Sequence, residues 1–245
     1  RGKAKKADFV LYYKPGIPRV FHIDQSISGD MTAIAFVHVE RKYPQGIGMG
    51  MDLNLDRDIV YVVDFVVPIH PFGGRINLDA IKLFIEDVYT KGCIPIIRGS
   101  YDTFQSEPSL QYLDRLGIEM DQVSVDETTD PYLFLAQVIE QGNLKMGRNI
   151  FFKNNLKSLR MTKRKISGTL KVDHTMGDTV SPSGADYAWE TSLLGINAKD
   201  CADAVAGAVA TARTYLATSG QSLSQVWSED TIILTPEQIR RKTDD

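Results

Sequence analysis

The sequence predicts an α/β fold with a mixed β-sheet flanked by helices. Two observations carry this. Three β-rich segments come first, within residues 20–67, and alternating helical and strand-like segments follow from residue 77 onward. Gly, Pro, Asn and Ser fall between these segments, where turns and helix caps belong.

The elements follow in order. Residues 1–17, which open with RGKAKKAD, read as an N-terminal linker or edge segment. Val20–Ile23 is a short apolar strand ending at Asp24, with Ser26, Gly29 and Asp30 in the loop behind it. TAIAFVHV at 32–39 is β-rich and reads as its hairpin partner. Residues 42–58, with Gly46, Gly48 and Gly50, read as a loop or hairpin tip. DIVYVVDFVV at 58–67 is a strong strand, which Pro68 and Pro71 limit. Asn77 caps a helix whose apolar face is Leu78, Ile81, Phe84, Ile85 and Val88, with Gly92 at its stop. Cys93–Ile97 is a short strand. Ser106 and Pro108 open a second helix that Gly117 ends. Residues 122–125 are a strand candidate, and Asp130-Pro131 begins a helix through Gln141. A basic region, a strand at 168–172, a turn-rich stretch at 173–195 and an alanine-rich helix at 199–217 complete the domain. The domain is therefore bounded at 18–217, with 218–245 as a C-terminal tail.

The composition removes several classes. The 245 residues are 24% charged, 43% hydrophobic and 9% aromatic, which excludes global disorder, collagen and a coiled coil. No apolar run approaches the roughly 18–20 residues of a membrane helix. The basic N-terminus is not followed by an apolar signal core, so no secretory leader is expected. Two cysteines, Cys93 and Cys201, supply neither a disulfide framework nor a four-cysteine zinc site.

The net charge is 28 − 31 = −3, but its distribution is uneven. Residues 141–172 contain no Asp or Glu. They carry Lys145, Arg148, Lys153, Lys157, Arg160, Lys163, Arg164, Lys165 and Lys171, a local charge near +9 against −12 for the rest. Such a segment draws polyanions over about 8–10 Å at ordinary salt, and it reads as a phosphate-backbone surface or, more plainly, as a solvated basic hairpin.

Three acids occupy element ends, where rigid backbone presents side chains to a cleft. Asp24 ends a strand, Asp102 follows one, and Asp200 lies in the first turn of the last helix with Asp203 three residues on. Clustered carboxylates repel unless a cation neutralises them, and hard divalent cations prefer such oxygen ligands. Singly, each also fits a structural duty: turn bonding for Asp24, capping for Asp102, the helix dipole for Asp200. Spacing alone leaves their convergence open.

An ordered set of motifs resembles the C-terminal nuclease domain of large terminase subunits, the DNA-packaging motors of tailed bacteriophages. These are FHIDQSISGDMTAIA at 21–35, CIPIIRGSYDTFQS at 93–106 after the helix at 77–91, and KVDHTMGDTV at 171–180 followed by NAKDCADAVAGAV at 197–209. The resemblance runs from about residue 18 to 217. It implies a ribonuclease H-like fold and a metal site with Asp24, Asp102 and Asp200 as catalytic ligands and Asp203 as a fourth or outer group. The stretch 46–51 reads as an insertion. Lys199-Asp200 departs from the two adjacent acids of many relatives.

No phosphate loop, GxSxG, HExxH or CxxC is present, so the chain reads as a nuclease module without its motor. His22 and His38, within strands, read as structural. His174 reads equally as lying near the scissile phosphate, as a phosphate contact or proton donor, or away from it, and Asp64 as an acid that needs a buried partner or lies near the metals. The resemblance implies a metal-dependent endonuclease using two Mg²⁺ or Mn²⁺ ions on double-stranded DNA, cutting viral concatemers with little sequence preference. Lys153, Lys157, Arg160, Lys163, Arg164, Lys165, Lys171 and His174 would hold DNA. The implied partners are an upstream ATPase domain of the same polypeptide, the portal protein and the small terminase subunit, with no membrane. The implied location is the host cytoplasm, docked transiently on the procapsid. A resolvase or integrase of the same fold, and a non-catalytic DNA clamp, are the alternatives.

Overall fold

The computed structural model describes residues 16–25, 31–42, 58–71, 75–92, 94–102, 107–125, 127–163, 170–174 and 199–219. The expectations for residues 1–15, the 46–51 insertion, Asp30, Arg164, Lys165 and the tail from 220 lie outside them.

Strands β1 (Arg19–Asp24), β2 (Thr32–Arg41) and β3 (Ile59–Ile69) form an antiparallel meander. Helix α1 (Leu78–Thr90) follows. Asn77 caps it, its Oδ1 accepting from the amides of Asp79 and Ala80 at 3.0 and 3.2 Å. Then come β4 (Ile96–Tyr101), α2 (Glu107–Arg115), β5 (Glu119–Gln122), α3 (Asp130–Glu140) and β6 (Leu144–Met146). The sheet order is β5-β4-β1-β2-β3-β6, with β4 parallel to β1, β5 to β4 and β6 to β3. This is the mixed, ribonuclease H-like sheet. The basic region resolves into β6, helix α4 (Ile150–Ser158) and a separate antiparallel hairpin, β7 (Leu159–Lys163) with β8 (Leu170–His174).

Helix α5 (Asp200–Thr218) closes the fold. Its alanines at 202, 204, 206 and 208 are two apart, a spacing that covers opposite sides of a helix rather than one face. Accordingly every residue from Cys201 to Val209 is buried. Ala33 and Ala35 of β2 lie in the same cluster, so small side chains on both partners bring helix and sheet close together.

The sheet separates two cores. α3, α4 and α5 cover Val20, Ala33, Ala35, Val37 and Tyr61 on one face. α1 and α2 cover Phe21, Ile23, Ile34, Phe36 and Tyr101 on the other. Fully burying each large side chain contributes about 1.5–3 kcal/mol.

Several strand boundaries differ from expectation, β8 among them, which runs to His174. β4 starts at Ile96 and runs through Arg98-Gly99-Ser100-Tyr101, which the sequence reads as following the strand. Its ladder with β1 opens where Arg19 N–H donates to the Pro95 carbonyl at 2.8 Å. Gly99 fits because a Cβ there would stand 2.3 Å from the Phe21 ring. β5 is Glu119–Gln122 rather than 122–125. It is a polar edge strand, held by its register to β4 and by Arg98, which pairs with Glu119 at 3.2 Å and with Asp121. β3 continues past Pro68 to Ile69 because β6 reaches only residues 61–63, so the missing proline N–H falls on an open edge.

Candidate functional site

Asp24 is the last residue of β1, and Asp102 is the first residue past β4. The two strands are adjacent and parallel, and the Asp102 amide continues their ladder to the Ile23 carbonyl at 3.3 Å. Side chains alternate along a strand, so His22 and Asp24, and Ser100 and Asp102, face the α5 side. The carboxyl ends of parallel strands are the usual place for a site on an open α/β sheet.

The amino-terminal end of α5 meets this edge. Asp200 and Asp203 occupy its first turn, where the helix dipole favours negative charge. Asn155 of α4 accepts the Cys201 amide on its Oδ1 at 2.9 Å, satisfying a donor that the helix start leaves over. Asp203 is buried, accepts the Tyr132 hydroxyl on Oδ1, and pairs through Oδ2 with Lys199 Nζ at 2.8 Å.

The electrostatics join these groups. Burial, and then the charges of Asp203, Asp200 and Asp102, raise the Asp24 carboxyl well above the usual carboxylate range, with Lys199 opposing the rise. The four acids therefore share one field. Burial, then Asp200 and Asp24, push the Cys201 thiol up to about 12, which removes it as a thiolate. Burial lowers His22 to about 3, so its ring is neutral at physiological pH.

The donor set fits a hard divalent cation. It is oxygen-only and, among the described residues, carries excess negative charge opposed by Lys199. Among the described residues, no group of three or more His, Cys, Asp or Glu is arranged to hold a metal as it stands. Asp203 in particular is engaged by Tyr132 and Lys199.

The basic residues of α4 lie beside this end of the fold. Lys153 and Lys157 are exposed on α4, whose buried Asn155 caps α5. Arg160 and Lys163 are exposed on β7. Lys171 pairs with Asp173 along β8, and Lys145 pairs with Glu40 at 3.1 Å toward the opposite end of β2. His174 ends β8 opposite Leu159; its side chain lies outside the described set. Asp64 is not near the acids: Arg19 and His38 account for it.

Sequence reading missed Tyr132 and Asn155 and saw Lys199 only as a departure from a motif. The first two act across 71 and 46 residues of chain, where no local periodicity exists to mark them.

No family model and no curated protein matches the sequence. Solved structures do. The large terminase nuclease from thermophilic phage G20c shares 13% identity, with 81% of this chain and 84% of that one covered, at a TM-score of 0.49. The same nuclease has been solved with bound magnesium, at 14% identity, coverage of 81% and 83%, and a TM-score of 0.47. The HK97 bacteriophage large terminase shares 11% identity at a TM-score of 0.51, with 79% of this chain matched to 39% of that one. Among the described residues no helix is long and apolar enough to cross a membrane. With the six-strand order and the HK97 match, the chain has a ribonuclease H-like fold, shared with the matched part of the HK97 large terminase.

Proposed function

We propose that this chain is a metal-dependent endonuclease that hydrolyses double-stranded DNA during viral genome packaging. One observation carries the reading: Asp24 ends a central strand of a ribonuclease H-like sheet within the field of Asp203, Asp200 and Asp102. Asp24, Asp102 and Asp200 would hold two Mg²⁺ or Mn²⁺ ions, with Asp203 joining if Lys199 releases it. Bound there, the metal would activate water and stabilise the leaving oxygen. The chain's own contribution is positional. β1 and β4 fix two carboxylates side by side, and α5 brings the others with its dipole.

Lys153, Lys157, Arg160, Lys163, Arg164, Lys165 and Lys171 are assigned to backbone phosphates, which gives affinity without reading bases. The proposed task is cutting concatemers before and after filling a procapsid in the host cytoplasm. An upstream ATPase domain, the portal protein and the small terminase subunit would be the partners.

The test is cleavage of supercoiled plasmid with Mg²⁺, Mn²⁺ or EDTA. The expected result is metal-dependent nicking and linearisation, lost in Asp24→Asn and Asp102→Asn by more than the about 10–100-fold that outer-shell changes cost. Activity surviving both substitutions would sink the site. The Lys199–Asp203 pair favours one second reading, a non-catalytic DNA clamp whose site is closed by its own lysine. Metal-independent binding without cleavage, unchanged by the acid substitutions, would mark that outcome.

A further inference from the structure

A buried polar layer sits one repeat below the acids. His22 Nδ1 lies 2.8 Å from Ser100 Oγ, and Ser100 Oγ lies 2.6 Å from Thr211 Oγ1. Thr211 Oγ1 lies 2.8 Å from the Gly207 carbonyl, its i−4 position on α5. The hydrogens can be assigned. A carbonyl only accepts, so the Thr211 hydroxyl donates to Gly207. Thr211 then accepts from Ser100, for which the Phe21 carbonyl at 3.5 Å is the poorer acceptor. Ser100 in turn accepts from Nδ1–H of His22. All three side chains are buried.

This chain of bonds joins the three elements that carry the acids: β1, β4 and α5. His22 is two residues before Asp24 on its strand face, and Ser100 is two before Asp102. On α5, Asp200, Asp203, Gly207 and Thr211 are spaced 3, 4 and 4 residues apart, which keeps them on one stripe. A two-residue strand step of about 6.6 Å nearly matches a four-residue helix step of about 6 Å. The lock and the acids are therefore consecutive rows of one helix-on-sheet register.

Gly207 sets the depth of that packing. A Cβ there would stand 2.3 Å from His22 Cγ and Cδ2, and the ring is tethered to Ser100. His22 Nε2 is buried against the same spot and, among the described residues, has no hydrogen-bond partner. An apolar side chain would fill the place without stranding a nitrogen, so packing alone does not account for histidine here.

We propose that His22, Ser100, Thr211 and Gly207 are positioning residues that set the depth and axial register of α5, and through it the spacing of Asp200 and Asp203 from Asp24 and Asp102. The proposal rests on the acids being a metal centre. The test is Mn²⁺ titration by calorimetry of the 245-residue chain without DNA, with thermal unfolding of the metal-free protein in parallel. Thr211→Val keeps the shape and removes the bond. It should weaken Mn²⁺ binding about tenfold or more, in the range of outer-shell effects. Thr211→Ser, which keeps the hydroxyl, should restore it. Gly207→Ala should weaken binding further, since ordinary carbon contacts near 3.5–4 Å require the helix to move out by about 1 Å or more. Ile85→Ala, in the core on the opposite face, should lower the unfolding midpoint without changing Mn²⁺ affinity. Wild-type affinity in folded Thr211→Val, or equal weakening in Ile85→Ala, overturns the lock alone. Wild type that binds no Mn²⁺ overturns the metal-centre reading and the lock with it. If Gly207→Ala does not fold, the two Thr211 variants decide.

Discussion

Asp24 and Asp64 are both aspartates on central strands, and the fold treats them in opposite ways. Asp64 is buried on the bulge of β3, where the register with β2 shifts between Phe36 and Val37. It accepts from Arg19 Nε at 3.1 Å and Nη2 at 3.4 Å, and lies 2.8 Å from His38 Nδ1. Asp24 is set against three other carboxylates, with Lys199 opposing them. Arg19 and Asp24 are the two ends of one six-residue strand, about 17 Å apart at the usual rise. The same strand thus completes an ion cluster at one end and gathers like charge at the other. A carboxylate matched with internal cations serves the fold. One placed among its own kind raises the folding cost, a cost that a bound cation would offset.

The comparison breaks most visibly on stability. Asp64→Ala strands the buried Arg19 and should cost about 3–5 kcal/mol, read as a lower urea midpoint. Asp24→Asn should act the other way. It removes a repelled charge, so the metal-free unfolding midpoint should rise by about 2–4 °C, the shift that ~1 kcal/mol gives in a chain of this size. The same substitution should abolish cleavage. An Asp24→Asn chain less stable than wild type would show that the acid cluster is not strained.

The sharper half of this comparison was only partly legible in the sequence. Apolar and β-rich runs locate β1, β2 and β3, and Asn77 and Gly92 bracket α1. The ordered motifs brought Asp24, Asp102 and Asp200 together across the chain, which their spacing did not. The extent of β4 escapes because Arg98-Gly99-Ser100 reads as following the strand until Phe21 is laid against Gly99. β5 escaped because EMDQ has no apolar period and is a strand only through its neighbour. Asp64 was recognised as needing a partner, but Arg19 is 45 residues away and nothing local names it. Partners, unlike elements, are properties of the folded sheet.

Lys199 allows a finer test. Among the described residues its ammonium is the cation that opposes the rise in Asp24, and it holds Asp203. Lys199→Gln removes a charge that a metal must otherwise work against, and Mn²⁺ should then bind roughly tenfold more tightly. The metal-free variant should unfold at a lower temperature, because Asp203 loses its ion pair. Weaker Mn²⁺ binding would instead assign Lys199 a supporting role at the occupied site.

The smallest effect is in pH. The unfolded Asp24 carboxyl titrates near the ordinary value of about 3.9, and the folded one higher. Between those two values the folded chain holds a proton that the unfolded chain has released. Stability from this group therefore falls as pH rises through the interval, and the loss is complete above the folded value. Below about 3.9 both states are protonated, so the slope vanishes and the stability is fully present. The difference between wild type and Asp24→Asn isolates this slope from other titrating groups. Thermal unfolding in EDTA should show Asp24→Asn gaining on wild type as pH is raised from about 4 through the folded value. Saturating Mg²⁺ should flatten the wild-type trend, because a bound cation keeps the carboxylate ionised at no penalty. A wild type whose metal-free stability climbs relative to Asp24→Asn over the same range would place a cation beside Asp24 as surely as Arg19 stands beside Asp64, and the contrast between the two ends of β1 would be lost.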